Sequence, residues 1–214
     1  MTRGLFVTFE GGEGVGKSTQ ISTFVSALRE LGIEVLETRE PGGTRNAERI
    51  RSVLKEHTDE IMPDVAEMLL MFSARAINVA NTIRPTLETG SWVVADRFTD
   101  STRAYQGGGR GLPSDRIDTL ANWVHGDVNP DVTILLDAPV EVGMQRANQR
   151  GESDRIETEK IDFFNRVRET YLALARSEAK RFIVVDASQP LAQVQAEIRQ
   201  VAERLVGDFR TFDA

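Results

Sequence analysis

Residues 11–18 read Gly11-Gly12-Glu13-Gly14-Val15-Gly16-Lys17-Ser18, a match to G-x-x-x-x-G-K-[ST] with Gly11, Gly16, Lys17 and Ser18 at the fixed positions. Upstream lies an apolar run, Leu5 to Phe9, and downstream an amphipathic stretch that begins at Thr19. Strand, glycine-rich turn and helix in that order form a phosphate cradle. Glycines let backbone N–H groups converge on phosphate oxygens, and the helix N-terminus adds partial positive charge. Lys17 supplies a cation for the β- and γ-phosphates, and Ser18 offers a hydroxyl to Mg²⁺. The competing reading, a turn that only joins strand to helix, leaves the four fixed residues and both flanks unexplained. The stretch therefore predicts a nucleoside triphosphate held by residues 11–18 and Thr19.

Working outward, the chain alternates apolar runs with helical periodicity. The runs are 5–9, 33–36, 92–95, 132–136 and 182–185. Helical patterns follow each of them, with Gly32 and Gly90 as stops. Residues 64 to about 89 form the longest, with Val65, Met68, Leu69, Leu70, Met71, Phe72, Ala76, Ile77, Val79, Ala80 and Ile83 apolar. A helix apolar so far round is central to a core or buried on two sides. Residues 106–111, Gln-Gly-Gly-Gly-Arg-Gly, read as a polar loop. Five strands alternating with helices predict an α/β fold, a parallel sheet covered on both faces. Ligands of such sheets sit beyond the carboxyl ends of the strands. The residues after Phe9, Leu36, Ala95 and Leu136 should line one crevice.

Composition narrows the function. With 26 Lys plus Arg against 33 Asp plus Glu, the formal charge is −7, a poor basis for binding DNA or RNA. There is no cysteine, which removes disulfides and thiol nucleophiles and suits a reducing cytoplasm. His57 and His125 have no metal-ligand spacing. The N-terminus has too few apolar residues for a signal-peptide core, and no stretch has the length of a membrane span. No repeat or linker interrupts the chain, so residues 1–214 are expected to form one domain.

Several groups have the chemistry of a phosphotransfer site. Asp96-Arg97 ends a strand, where a carboxylate can hold Mg²⁺ through water and a guanidinium can fork onto a phosphate; the plainer reading is an ion pair. Phe72 and Arg75 share a helix face and together suit a nucleobase, although Phe72 also fits a core. Arg146, Arg150 and Arg155 surround an acidic segment, either a solvated loop or a lid that brings guanidinium groups to phosphates, with Gly151 as hinge. Glu13, costly beside a triphosphate, should face another partner. A regulatory GTPase would carry N-K-x-D and D-x-x-G; neither occurs. A small-molecule kinase needs a phosphate loop, a second anion site and a lid, and all three have candidates.

The ordered motifs resemble one family. They are Phe9-Glu10-Gly11 to Thr19, Thr38 to Thr44, Leu70 to Arg75, Asp96-Arg97, and Ser101 to Gly111. Together they resemble bacterial thymidylate kinase from end to end. The resemblance implies a three-layer α/β/α P-loop kinase fold with a short mobile lid at about 146–158 and an acceptor region at about 39–110. It implies ATP-dependent phosphorylation of dTMP with Mg²⁺ held near Ser18 and Asp96, and a homodimer. It also implies that Phe72 stacks on thymine while Arg75 bonds its edge, with help from Thr102 or Ser101 and from Gln106. Arg97 and Arg51 bind the acceptor phosphate, Tyr105 packs under the sugar, and Glu40 and Pro41 line the pocket. Glu13, Lys17, Arg97, Arg150 and Arg155 are the implied catalytic residues. Gly14 stands where some relatives carry the catalytic arginine, so the chain resembles the type that supplies it from the lid. Phe98 stands where relatives often carry Tyr or His.

Overall fold

The five apolar runs become one sheet in the computed structural model, which describes residues 3–149 and 155–212. The strands are β1 (Phe6–Glu10), β2 (Val35–Arg39), β3 (Trp92–Asp96), β4 (Val132–Asp137) and β5 (Phe182–Asp186). They lie in the order β2-β3-β1-β4-β5, all parallel. The central β1 is buried at all five positions, as a parallel strand with both faces covered requires. Early connections run to one side of β1 and later ones to the other, so a crevice opens past its carboxyl end.

Helices cover both faces. α1 (Lys17–Glu30) and α9 (Leu191–Phe212) pack over Val7, Phe9, Val94, Ile134 and Val185. On the other face α8 (Ile161–Ser177) sets Phe163, Phe164, Val167 and Tyr171 against Leu135. Phe6, Phe9 and Phe24 are fully buried, and each such side chain contributes about 1.5–3 kcal/mol. The three-layer α/β/α architecture expected from the alternation is present, with α2 (Arg45–Lys55), α6 (Ser114–Val124) and α7 (Val140–Asn148) completing it.

Three elements differ from the sequence reading. The second strand, expected at 33–36, runs Val35–Arg39, because its backbone pairs with β3 from Val35↔Trp92 to Arg39↔Asp96. Its side chains are partly exposed, so no apolar run marks its end. The long helix is α3 (Asp64–Asn78), a π-helical turn (Val79–Ile83) and α4 (Arg84–Glu88). Pro85 lacks an N–H and crowds the carbonyl four residues back; the widened turn just before it relieves both. Within one chain this helix is not covered all round, since Val65 and Leu69 are 45 % and 46 % exposed. The expected loop at 106–111 is largely helical: α5 (Thr99–Thr102) continues as a π-helical stretch, Arg103–Gly109. Its glycines serve close packing. A Cβ on Gly109 would meet the Phe163 ring at 2.4 Å, and one on Gly108 would meet Thr170 Oγ1 at 2.1 Å. Of the expected lid at 146–158, residues 150–154 lie outside the described residues, Arg150 and Gly151 among them.

Candidate active site

A cleft of about 580 Å³ lies past the carboxyl ends of β1 and β3. The phosphate loop forms one end. Gly16 caps α1 in a left-handed conformation (φ 89°), open to glycine at little cost. Lys17 Nζ donates to the carbonyls of Gly12 at 2.8 Å and Gly11 at 3.2 Å. Burial, and then the Arg97 charge, push the Lys17 ammonium down to about 8, against Glu13, Asp96 and Glu10. Ser18 and Thr19 line the cleft beside it. Across from them stands Asp96. Its Oδ1 is shielded from solvent and has no hydrogen-bond partner among the described residues. A buried carboxylate oxygen in that state is costly. Together with the Ser18 hydroxyl it fits a hard divalent cation that keeps several of its waters.

Arg97 is the hub of the middle section. Nη1 donates to Gly11 O (3.0 Å), Ser101 Oγ (3.2 Å) and Tyr171 OH (3.3 Å), and Nη2 to Glu13 Oε1 (2.7 Å) and Tyr105 OH (2.9 Å). Its guanidinium also lies 4.8 Å from the Tyr105 ring centroid. The Tyr105 hydroxyl donates to Glu13 Oε1 at 2.7 Å. Arg97 has φ 72°, the one non-glycine residue with positive φ among the described residues. Such a conformation costs about 1–3 kcal/mol and persists where surrounding contacts enforce it. Those contacts include Arg97 N to Phe9 O at 2.9 Å and Phe98 N to Glu10 Oε1 at 2.7 Å. Glu10 is fully buried and also accepts from Ser101 Oγ (2.5 Å) and Tyr171 OH (2.8 Å). Burial and then the nearby Asp100 raise its carboxyl to about 7, against the pull of Ser101, Arg97 and Tyr171.

The far end is built on Arg75. Its Nε donates to Glu40 Oε2 at 2.6 Å and its Nη1 to Thr102 Oγ1 at 3.2 Å. The guanidinium is sandwiched 4.9 Å from the Phe72 centroid and 5.0 Å from that of Phe98. Burial raises the Glu40 carboxyl, opposed by Arg75 and by Asn78, which donates to it. Pro41, Arg51, Met71 and Gln106 complete this wall, with Arg51 Nη1 donating to Pro41 O at 2.9 Å.

One cleft thus brings together Glu13, Gly14, Gly16, Lys17, Ser18, Thr19, Glu40, Pro41, Arg51, Arg75, Asp96, Arg97, Ser101, Thr102, Tyr105 and Gln106. Gly11, Gly12 and Val15 form the back of the loop. Phe72 does not line the cleft: it is 2 % exposed and packs with Met68, Ile117 and Ala121 beneath Arg75. Arg155 is committed to Glu67 Oε2 at 2.5 Å and Leu54 O at 3.1 Å, while its neighbours Ile156 and Glu157, and Arg146 from α7, face the cleft. Arg150 lies outside the described residues. Phe98 is fully buried, edge-on to Phe6. Sequence reasoning missed Glu10, Glu67 and Tyr171. Glu67 had a signal, since it interrupts an apolar stretch as Arg75 does. Glu10 had one too, as a carboxylate closing a buried strand. Tyr171 lies among the apolar positions of its helix and has none.

A parallel five-stranded sheet with this loop at the end of its central strand is a P-loop kinase fold. The thymidylate kinase family profile matches residues 9–198. The thymidylate kinase of Pseudomonas fluorescens is 52 % identical over 203 residues, 95 % of this chain and 97 % of that protein. That of Chromohalobacter salexigens is 53 % identical over 208 residues, 96 % and 98 % of the two. The crystal structure of Ehrlichia chaffeensis thymidylate kinase superposes with a TM-score of 0.75 at 31 % identity, covering 93 % of this chain and 98 % of that one. The chain belongs to the thymidylate kinase family, and it is a nucleoside monophosphate kinase.

Proposed function

We infer that this chain transfers the γ-phosphoryl group of ATP to dTMP, giving dTDP and ADP, and so supplies a precursor for DNA synthesis. The observation that carries the site reading is the continuity of one cleft from the phosphate loop, through Arg97 and Glu13, to Arg75, Thr102 and Gln106. The triphosphate rests on residues 11–19, with Lys17 on its terminal phosphates. The dTMP phosphate lies near Arg97, with Arg51 beside it. The base meets Arg75, Thr102 and Gln106, with Phe72 backing Arg75 and Glu40, Pro41 and Ser101 shaping the pocket. Tyr105 packs against the sugar. An acceptor phosphate oxygen attacks the γ-phosphorus and the bond to the β-phosphate breaks. That oxygen is already largely ionised at neutral pH, so the site needs alignment and charge neutralisation more than a base. Glu13 fits this division of labour, since it is held by Arg97 and Tyr105 and aligns them.

Mg²⁺ is proposed beside Ser18 and the unpartnered Asp96 oxygen, where it would shield phosphate charge. Binding of Mn²⁺ with a non-hydrolysable ATP analogue should weaken in Asp96→Asn; unchanged binding would remove Asp96 from the metal site. The loop has no room for a catalytic arginine at position 14: a Cβ on Gly14 would stand 1.8 Å from the Gly143 carbonyl oxygen. Arg150, in the segment expected from the sequence to be a lid, is proposed as that cation.

We also propose a homodimer. α3 leaves Val65 and Leu69 exposed, and the neighbouring α6 carries Trp123 at 83 % exposure, an apolar surface of the kind that marks an interface. Sedimentation should give twice the chain mass for the wild type and a shift towards monomer for Trp123→Glu; a wild-type monomer at micromolar concentration would refute it. No helix among the described residues is long and apolar enough to cross a membrane. Cytoplasmic residence is proposed, with cell fractionation as its check. The acceptor itself is tested with a panel of nucleoside monophosphates and Mg-ATP. dTMP should be strongly preferred over dCMP, AMP and GMP, and preference for another base would overturn the assignment.

A further inference from the structure

Glu67 is a buried charge that the phosphotransfer chemistry does not use. It projects from α3 at 1 % exposure, and its two oxygens collect donors from separate parts of the chain. Oε1 accepts from Gln106 Nε2 at 2.8 Å and from Arg110 Nε at 3.3 Å. Oε2 accepts from Arg110 Nη2 at 3.2 Å and from Arg155 Nη2 at 2.5 Å. Burial alone would raise this carboxyl. The bonds from Gln106, Arg110 and Arg155 outweigh it and hold the group below the ordinary carboxylate value. A buried carboxylate with this many donors stays ionised and fixes each of them in place.

The donors come from separate segments beside the cleft. Gln106 lines the acceptor end. One N–H of its amide is held by Glu67, which fixes how the rest of the amide is presented at the cleft. Arg155 begins the described part of the lid beyond residue 154. Its next two residues, Ile156 and Glu157, line the cleft, and its Nε is fixed on Leu54 O at the end of α2. Arg110 ties the arrangement further, through an ion pair with Glu159 and by lying 4.9 Å from the Phe163 centroid.

We propose that Glu67 is a positioning residue whose single carboxylate sets the acceptor wall at Gln106 and anchors residues 155–157 beside the cleft through Arg155, so that the placement of that segment and acceptor binding depend on one another. Arg155 is then an anchor and not a phosphate ligand. This rests on the reading of the cleft as the dTMP pocket.

The test is a double-mutant cycle with Glu67→Gln, Arg155→Met and the pair, measured as kcat and KM for each substrate. Each single variant should raise KM for dTMP and lower kcat by about tenfold, as expected for coupled neighbours. KM for ATP should stay within about twofold. The double variant should be no worse than the poorer single one, and Arg155→Lys should recover part of the loss, because an ammonium can still donate to the carboxylate. Additive losses would overturn the proposal. So would wild-type kinetics with only a lower Tm, the mark of a purely structural pair. A collapse of turnover in Arg155→Met with little effect in Glu67→Gln would place Arg155 on the phosphates instead. If Glu67→Gln fails to fold, the contrast between Arg155→Met and Arg155→Lys carries the test: equal kinetics in the two would refute it. Arg75→Lys separates the underlying reading. If it leaves KM for dTMP unchanged, the pocket assignment fails; if it raises KM while the cycle is additive, only the role of Glu67 fails.

Discussion

Replacing Arg97 by lysine keeps the charge and removes the fork. The guanidinium now reaches Gly11 O, Ser101 Oγ, Tyr171 OH, Glu13 Oε1 and Tyr105 OH. An ammonium has three N–H groups on a single nitrogen, so at least two of those acceptors lose their donor. A hydrogen bond to a charged group is worth about 1.5–3 kcal/mol, which puts the gross loss at about 3–6 kcal/mol. The lower end applies, because Ser101 and Tyr171 still donate to Glu10. Glu13 likewise keeps the Tyr105 hydroxyl and Gly11 O keeps Lys17, so what is lost is the fork that ties Glu13 to the loop carbonyl. About 3 kcal/mol in the transition state corresponds to about a hundredfold in rate. Steady-state assay of ADP release should show kcat/KM for dTMP lowered by about that factor, with KM for ATP altered far less. Thermal unfolding run in parallel separates misfolding from misalignment. Arg97→Lys within threefold of wild type for kcat/KM would refute the role given to the forked contact.

Two further predictions concern pH. Lys17 titrates near 8 in the free protein through burial and the Arg97 charge. Its cation is present below that pH and lost above it, so kcat/KM for ATP should decline above about pH 8; a flat profile from pH 7 to 9.5 would contradict this. His125 is pushed from 6.5 to about 4, first by burial and then by Arg75 and Arg103, and its Nδ1 has no partner among the described residues. Between those values the unfolded chain binds more protons, so stability is present above about pH 6.5 and lost on acidification, by up to about 3 kcal/mol at pH 4. Urea midpoints at pH 7.5 and 5 should differ more in the wild type than in His125→Gln; equal differences would remove His125 from the account.

The parts of the fold that repeat a local rule were legible. Residues 11–18 announced the loop because their pattern of glycines, lysine and hydroxyl stands between an apolar run and a helical period, and β1, α1 and the crevice followed from it. Asp96 and Arg97 were legible as a strand end. What escaped depends on partners distant in sequence. β2 is set by backbone pairing to β3, which leaves no apolar signature at Thr38 and Arg39. The π-helical turns answer to Pro85 and to the approach of α8 on Gly108 and Gly109, and neither changes the helical period enough to read. Phe72 follows the pattern of a core residue, and in the structure Arg75 covers its ring. Glu10, Glu67 and Tyr171 acquire their significance only where β1, α3 and α8 meet Arg97, Gln106 and Arg155.

The proposed alignment of donor and acceptor phosphates places them in one cleft, between Lys17 and Arg97. A crystal structure with a thymidine–adenosine polyphosphate, which joins the two nucleotides in one molecule, tests it most directly. Thymine should lie against Arg75 and Gln106, with the first phosphate within hydrogen-bond reach of Arg97 and the remaining chain on residues 11–18. A thymidine half lying elsewhere, or phosphates out of reach of Arg97, would contradict it.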